Sequence, residues 1–385
     1  MGLMSGTSLD GVDAVLVDFS DNTLQVLGHC GCPFPTALRE AFLTLNTAGD
    51  NELHRAALAG NALARLYADQ VQRLLQQCGV TSDAVHAIGA HGQTVRHRPQ
   101  EFDGIGYTLQ INQPALLAEL SGITVVADFR SRDVAAGGQG APLVPPFHRA
   151  FFAQLNRAVT VLNLGGIANV TLLNPQSDTL QGFDCGPANT LMDIWCQRYT
   201  GQPFDAEGAW AAQGTVHSGL LERLLDEPYF TQPPPKSTGR DRFHADWLAH
   251  KMAGLNDVES LENLPPQDVQ ATLCELTAIT SARSVLCYQP QCTTLIVCGG
   301  GAYNRHLMQR LQAWLPLCEV VSSAAFNLPP TQVEAVAFAW LARQTMNGLT
   351  ASHPSVTGSR GSRILGSIYP SSPASTPHQW MRQSV

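Results

Sequence analysis

The stretch Met4-Ser5-Gly6-Thr7-Ser8-Leu9-Asp10-Gly11-Val12-Asp13 places two glycines, three hydroxyls and two carboxylates within ten residues. Consecutive backbone N–H groups in such a turn form a concavity for anions, and small side chains let a phosphate come close. A plain hairpin turn is the simpler explanation of one such loop. Two further glycine loops, Gly165-Gly166 running to Asn169 and Gly299-Gly300-Gly301 running to Asn304, also sit at strand boundaries, and none of the three ends in the G-K-[ST] of a P-loop. The chemistry that this trio suits is phosphate held by hairpins.

Phosphoryl transfer asks for positioning, charge neutralisation and a carboxylate to orient the attacking oxygen. Asp10 and Asp13 flank the first loop, and Asp10 is a candidate ligand for Mg²⁺, directly or through its waters. Simple Asx-turn chemistry is the alternative for Asp10. Asp184 lies in Gly182-Phe-Asp-Cys-Gly-Pro-Ala-Asn189, where glycines and a proline fix the backbone around one acid, as a rigidly held base requires. A helix cap before the helical run 190–199 accounts for the same residue. His91 with Gln93, and Asp128 with Arg130, offer donors and acceptors for hydroxyls, an acetamido group or a carboxylate, although each alone is commonly structural. Glu334 opens the apolar helical run 331–340, where the helix dipole by itself favours an acid.

The elements that must carry these groups alternate. Residues 12–19 are strand-like, and 52–77 carry leucines at helical spacing up to Gly79. The apolar runs 84–90 and 123–127 feed the polar loops at His91 and Asp128, so both loops lie at strand ends, where open α/β sheets collect ligands. Glycines and prolines over 135–146 deny helix and strand continuation and mark a crossover between domains. Beyond it, 158–173 repeats the opening pattern of strand, glycine turn and strand, and 294–298 leads through the third glycine loop into a helix over 305–314. The proline-rich 232–236 and Pro265-Pro266 read as turns or linkers. The first glycine loop begins after only Met1-Gly2-Leu3, so a truncated start and a shortened first strand are expected.

With 385 residues, 44% hydrophobic and 14% charged, the chain is globular and long enough for two domains with a cleft between them. A net charge of -8 without a Lys/Arg cluster argues against nucleic acid as a partner. The ten cysteines form no C-x-x-C pair and read as reduced thiols of a cytoplasmic protein, and neither a signal segment nor a membrane span is expected. The sequence also lacks G-x-S-x-G, H-E-x-x-H and an opening G-x-G-x-x-G, which removes the central parts of hydrolase and dehydrogenase readings.

The ordered set Met4 to Asp13, Ala90-His-Gly-Gln-Thr94, Ala127-Asp-Phe-Arg130, Gly137 to Leu143, Asn163 to Asn169, Gly182 to Asn189 and Cys298 to Asn304 closely resembles the anhydro-N-acetylmuramic acid kinases. The resemblance continues to Leu365-Gly366. It implies a two-domain actin-like ATPase fold, ribonuclease H-like in each half, with an interdomain active-site cleft. The expected division is 1–140 plus about 355–385 for one domain and 141–354 for the other. It implies an ATP-dependent kinase, with Mg²⁺, that opens 1,6-anhydro-N-acetylmuramic acid with water and phosphorylates the freed 6-oxygen, in recycling of the cell wall. Asp184 matches the catalytic aspartate. Gly6, Thr7, Ser8, Leu9, Asp10, Gly11, Val12 and Asp13 match the phosphate loop, and Gly165, Gly166, Asn169, Gly299, Gly300, Gly301 and Asn304 the nucleotide cradle. His91, Gln93, Asp128, Arg130 and Glu334 are the expected sugar contacts, with Arg130 suited to the lactyl carboxylate. A homodimer is the expected assembly. A kinase of another amino sugar, and a nucleotide-gated ATPase that transfers nothing, are the alternatives.

Overall fold

A computed structural model of the chain describes residues 1–6, 9–20, 24–177, 179–239, 242–253, 261 and 263–371. Two compact units divide it: 1–143 with 334–354 and 359–385, and 144–333 with 355–358.

The first unit is built on a six-stranded sheet. β1 (Gly2–Met4), β2 (Gly11–Asp18) and β3 (Gln25–Pro33) form an antiparallel meander, because alternating apolar residues of β2 point into the core while its other face stays part-exposed. β4 (Ile88–Ala90) and β7 (Val125–Ala127) then add in parallel on the other side of β1. A two-stranded ribbon, β5 (Gln93–Pro99) and β6 (Gly106–Ile111), is inserted between them. A short terminal strand, β13 (Ser367–Tyr369), closes the far edge against β7. Short as it is, β1 is paired on both sides and Leu3 is fully buried among Leu63, Tyr67, Val71, Ile88 and Val125. The helix Glu52–Cys78 contributes Leu63, Tyr67, Val71 and Leu74 to the same core and ends at Gly79 in a left-handed cap.

The second unit repeats the design. β8 (Val159–Leu164), β9 (Ile167–Leu173) and β10 (Gln181–Pro187) form the meander, and β11 (Thr294–Cys298) and β12 (Glu319–Ser322) follow in parallel beside β8. The second sheet runs β10-β9-β8-β11-β12, and the first runs β3-β2-β1-β4-β7 in the same order with β13 added at its edge. Such a doubled α/β sheet is the two-domain actin-like, ribonuclease H-like arrangement. The helix Pro266–Tyr288 is buried on nearly all sides, which is why its sequence has no amphipathic period.

Two expectations are corrected. Pro145 and Pro146 do not block a helix but open one, Pro145–Phe152, at the first turn, where a missing N–H is harmless. The chain returns to the first unit at Glu334 rather than near 355, and only 355–358 lie with the second. The cause is the helix Val333–Met346, whose backbone lies directly on the strands: a Cβ on Gly89 would stand 2.1 Å from the Phe338 carbonyl oxygen, and one on Gly2 1.8 Å from that of Ala335. Gly89→Ala is accordingly expected to destabilise the first unit by about 1–3 kcal/mol, read as a lowered denaturant midpoint. A midpoint equal to wild type would show that the helix does not rest on β4.

Candidate active site

In the first unit the glycine loop is fastened from below. The Ser5 hydroxyl donates to the Gly92 carbonyl at 2.9 Å and lies 2.9 Å from the Tyr67 hydroxyl. Leu9, with a left-handed φ of 59°, closes the turn by donating its N–H to the Gly6 carbonyl. Gln93 Nε2 donates to the same Gly6 carbonyl at 3.0 Å. His91 Nδ1–H reaches the Ser5 carbonyl at 3.0 Å, which fixes the tautomer and leaves Nε2 as an acceptor. Arg130 fills that acceptor with Nη2 at 2.8 Å and gives Nη1 to the Gly140 carbonyl at 2.8 Å. Buried Asp133, which sequence reading passed over, in turn accepts the Gly140 N–H at 2.8 Å and holds the Gly137–Gly140 loop.

The electrostatics agree with this wiring. Burial and the neighbouring guanidinium push His91 down to about 3, so the ring is neutral throughout the physiological range. Burial lowers Arg130 to about 10, opposed by Glu334 and Asp133, so it stays a cation. Burial raises the Glu334 carboxyl, Arg130 opposes that, and Asp13 and Asp10 add to the rise. Glu334, Arg130, Asp13 and Asp10 thus share one electrostatic neighbourhood beside the loop.

The expected sugar contacts divide. His91 has both ring nitrogens engaged within the protein and is a strut of the glycine loop, because a neutral imidazole has only one donor and one acceptor. Gln93 uses its amide nitrogen on Gly6 and Thr94 but keeps a buried, unpartnered Oε1. Asp128 is exposed, at a left-handed φ of 58°, with Oδ1 taken by the Ser131 hydroxyl at 2.5 Å. Of the phosphate-loop residues, Leu9 and Val12 bury their side chains in the core, and Gly11 packs on β3, where a Cβ would stand 2.1 Å from the Cys32 carbonyl oxygen. Thr7 and Ser8 lie outside the described residues. Asp10 is exposed, with Oδ1 on the Gly11 N–H, and Asp13 Oδ1 meets His29 Nε2 at 2.9 Å.

In the second unit Asp184 stands on β10 directly opposite Asn169 on β9, which faces Asn163 on β8. Cross-strand partners share a face, so Asn163, Asn169 and Asp184 form one polar row across the sheet. A bulge follows at Asp184/Gly186 and re-aims the strand just past the acid. Thr238 N–H donates to Asp184 Oδ2 at 2.9 Å. Burial lifts the Asp184 carboxyl to about 7, against the pull of that N–H and of the Lys236 charge.

The two glycine turns of this unit meet at Asn189, whose Nδ2 donates to the Leu164 carbonyl at 2.9 Å while its N–H donates to Gly165. Cβ atoms built on Gly299 and Gly301 would collide with Asn163 and Leu164, so these glycines serve close packing. Gly165 and Gly300 differ: added Cβ atoms would meet nothing nearer than 3.8 Å, leaving their backbones open to a ligand. A Cβ on Gly166 would stand 2.7 Å from the Thr190 hydroxyl. Asn304 is the N-cap of the helix Arg305–Trp314, its Oδ1 accepting the Leu307 N–H at 2.9 Å, so that oxygen is engaged in holding the helix. Asn189, which joins the two glycine turns, was not singled out in the sequence, and its position in the motif that carries Asp184 was the available signal.

Among the described residues no group of three His, Cys, Asp or Glu side chains could hold a metal, and no helix is long and apolar enough to cross a membrane. One or two carboxylates near a phosphate loop are nevertheless what Mg²⁺ uses when phosphate oxygens and water complete its shell, and Asp10 fits that donor set.

A profile of the anhydro-N-acetylmuramic acid kinase family matches residues 1–371. An anhydro-N-acetylmuramic acid kinase from Albidiferax ferrireducens is 59% identical over 389 residues, covering 96% of this chain and 98% of that protein. One from Variovorax paradoxus is 59% identical over 374 residues with the same coverage, and one from Cupriavidus metallidurans 54% identical over 373, covering 96% and 97%. The match spans the glycine hairpins of both units, the Asp184 strand and the returning helix at Glu334, and the chain belongs to the anhydro-N-acetylmuramic acid kinase family.

Proposed function

We propose that the chain is an ATP-dependent kinase that converts 1,6-anhydro-N-acetylmuramic acid, water and ATP into N-acetylmuramate 6-phosphate and ADP, in recycling of the cell wall. The observation that carries the reading is Asp184: a carboxyl near neutrality in its proton affinity, with one oxygen held by the Thr238 amide and the acid mounted on a bulged strand. A base so tuned and fixed can take a proton from water as the water oxygen bonds to the anomeric carbon. The bond from that carbon to the bridging 6-oxygen breaks, the 6-oxygen attacks the γ-phosphorus, and ADP leaves.

The reading assigns the phosphates to the Gly6–Asp13 loop and to the open backbones of Gly165 and Gly300, and the sugar's polar groups to Gln93, Asp128, Arg130 and Glu334. Mg²⁺ held at Asp10 would neutralise phosphate charge. Arg130 retains its charge beside Glu334 and suits a carboxylate on the sugar. We place the protein in the cytoplasm as a homodimer. Sedimentation at a mass twice 41.4 kDa supports the dimer, and a 41.4 kDa species across the concentration range removes it.

Because Asp184 must be ionised to accept a proton, kcat should fall as pH drops below about 7, with one acidic limb. A pH–rate profile flat from 8 to 5 would remove Asp184 as the base. The reading itself is tested by ADP release with the anhydro sugar, N-acetylmuramic acid and N-acetylglucosamine side by side. Turnover confined to the anhydro sugar is expected, and equal rates with the plain sugars would replace the water-attack step with simple transfer.

A further inference from the structure

The proline-rich stretch 232–236 has a second use that its composition hides. The segment from Tyr229 to Thr238 wraps Asp184 and touches it at three atoms. The Tyr229 hydroxyl donates to the Asp184 carbonyl at 2.8 Å, the Asp184 N–H donates to the Lys236 carbonyl at 3.2 Å, and the Thr238 N–H donates to Asp184 Oδ2 at 2.9 Å. Both peptide groups of the acid and one carboxyl oxygen are therefore held by one strap.

Lys236 closes that strap on itself. Its ammonium donates to the carbonyls of Tyr229 at 3.2 Å and Phe230 at 3.3 Å, and lies 4.8 Å from the centre of the Tyr229 ring. The three prolines between the ends carry no N–H and resist bending, so the ammonium is what ties the beginning of the strap to its end. The Phe230 ring in turn covers Gly186, where a Cβ would stand 2.6 Å from it, and stacks on Phe243 with centroids 5.7 Å apart. The Thr238 hydroxyl oxygen is buried and without a partner beside the acid.

Among the described residues the charged and titratable groups around Asp184 are few. Cys185 lies on its own strand, Tyr229 and Lys236 on the strap, Arg242 over the Tyr229 ring, and Cys287 near Lys236 on the helix Pro266–Tyr288. Burial sets the Cys185 thiol and the Tyr229 phenol toward their neutral forms, and the Lys236 charge favours an ionised Asp184.

We propose that Lys236 is a positioning residue that aims Asp184 by closing the 229–238 strap and brings a positive charge to bear on it. The proposal rests on the reading of Asp184 as the base. Oδ2 is tied down by Thr238, which leaves Oδ1 to receive the proton, and the ammonium lowers the cost of the buried charge before the proton is taken from water. No covalent role is assigned to Lys236.

The test compares wild type, Lys236→Met and Lys236→Arg. Lys236→Met should lower kcat about 10- to 100-fold, leave KM for ATP within about twofold, and move the acidic limb of kcat upward by about one pH unit. Lys236→Arg, which keeps the charge, should leave the limb near its wild-type position even where kcat is reduced. A Lys236→Met enzyme with an unmoved limb would overturn the proposal, as would an upward shift in Lys236→Arg equal to that in Lys236→Met. Infrared titration of the Asp184 carboxylate, identified by difference from Asp184→Asn, reads the same shift with no substrate present. If wild type shows no turnover of the anhydro sugar, the proposed function fails, while the infrared shift still decides the role of Lys236.

Discussion

Asp184→Asn should abolish turnover, by about 10²- to 10⁴-fold, and at the same time make the second unit more stable at pH 8. The two effects have one cause. The Asp184 carboxyl is raised from its ordinary value to about 7, so folding favours its protonated form. A carboxyl raised on folding contributes its stability below the unfolded value, near 4, and loses it as pH climbs through about 7. Asparagine keeps the shape and the acceptor for Thr238 but carries no charge. The gain of the variant over wild type should therefore be absent near pH 4, grow between pH 4 and 7, and level off above 7 at roughly 2–4 kcal/mol. Melting curves of both proteins across that range check the slope. A variant less stable than wild type at pH 8 would mean that the carboxylate is well satisfied where it sits. ATP binding should persist in the variant, which also separates a transferring enzyme from a nucleotide-gated one, whose output would survive the change.

Arg130→Met carries the second large effect. Arg130 joins an expected sugar contact to the bracing of the glycine loop, through His91 to the Ser5 carbonyl and through Gly140 to Asp133. Its loss leaves a buried imidazole acceptor and a carbonyl without donors and leaves Glu334 among Asp10 and Asp13 without its counter-charge. A misplacement of the loop by about 1 Å costs about 100-fold in rate, so kcat/KM should fall by at least that factor for ATP as well as for the sugar. Steady-state kinetics with each substrate varied in turn would show it. A loss confined to KM for the sugar would reduce Arg130 to a carboxylate contact alone.

Much of the architecture was legible because period-2 strands and glycine turns announce themselves locally. The hairpins at β1–β2 and β8–β9, the helix after Gly301 and the strand ends at His91 and Asp128 all follow from short-range pattern. The helix Val333–Met346 is apolar and buried all round over Ala335–Ala342, so its period does not say which sheet it covers, while the glycines at 2 and 89, far away in sequence, record its contact. An asparagine immediately before a helical run is cap chemistry, and the Asn304 side chain carries it out. Asp184 was legible as a held acid, yet the groups that hold it come from 229–238, a stretch whose prolines advertise only a turn. Chemistry that depends on residues 45 to 54 positions away leaves no local trace.

The coupling of ring opening to phosphoryl transfer is tested most directly in ¹⁸O-labelled water, with ATP and 1,6-anhydro-N-acetylmuramic acid and the product fragmented in a mass spectrometer. One label at the anomeric hydroxyl of a 6-phosphorylated sugar, with none in the phosphate, is the expected result. Label in the phosphate, or an unlabelled anomeric hydroxyl, would contradict water attack at the anomeric carbon.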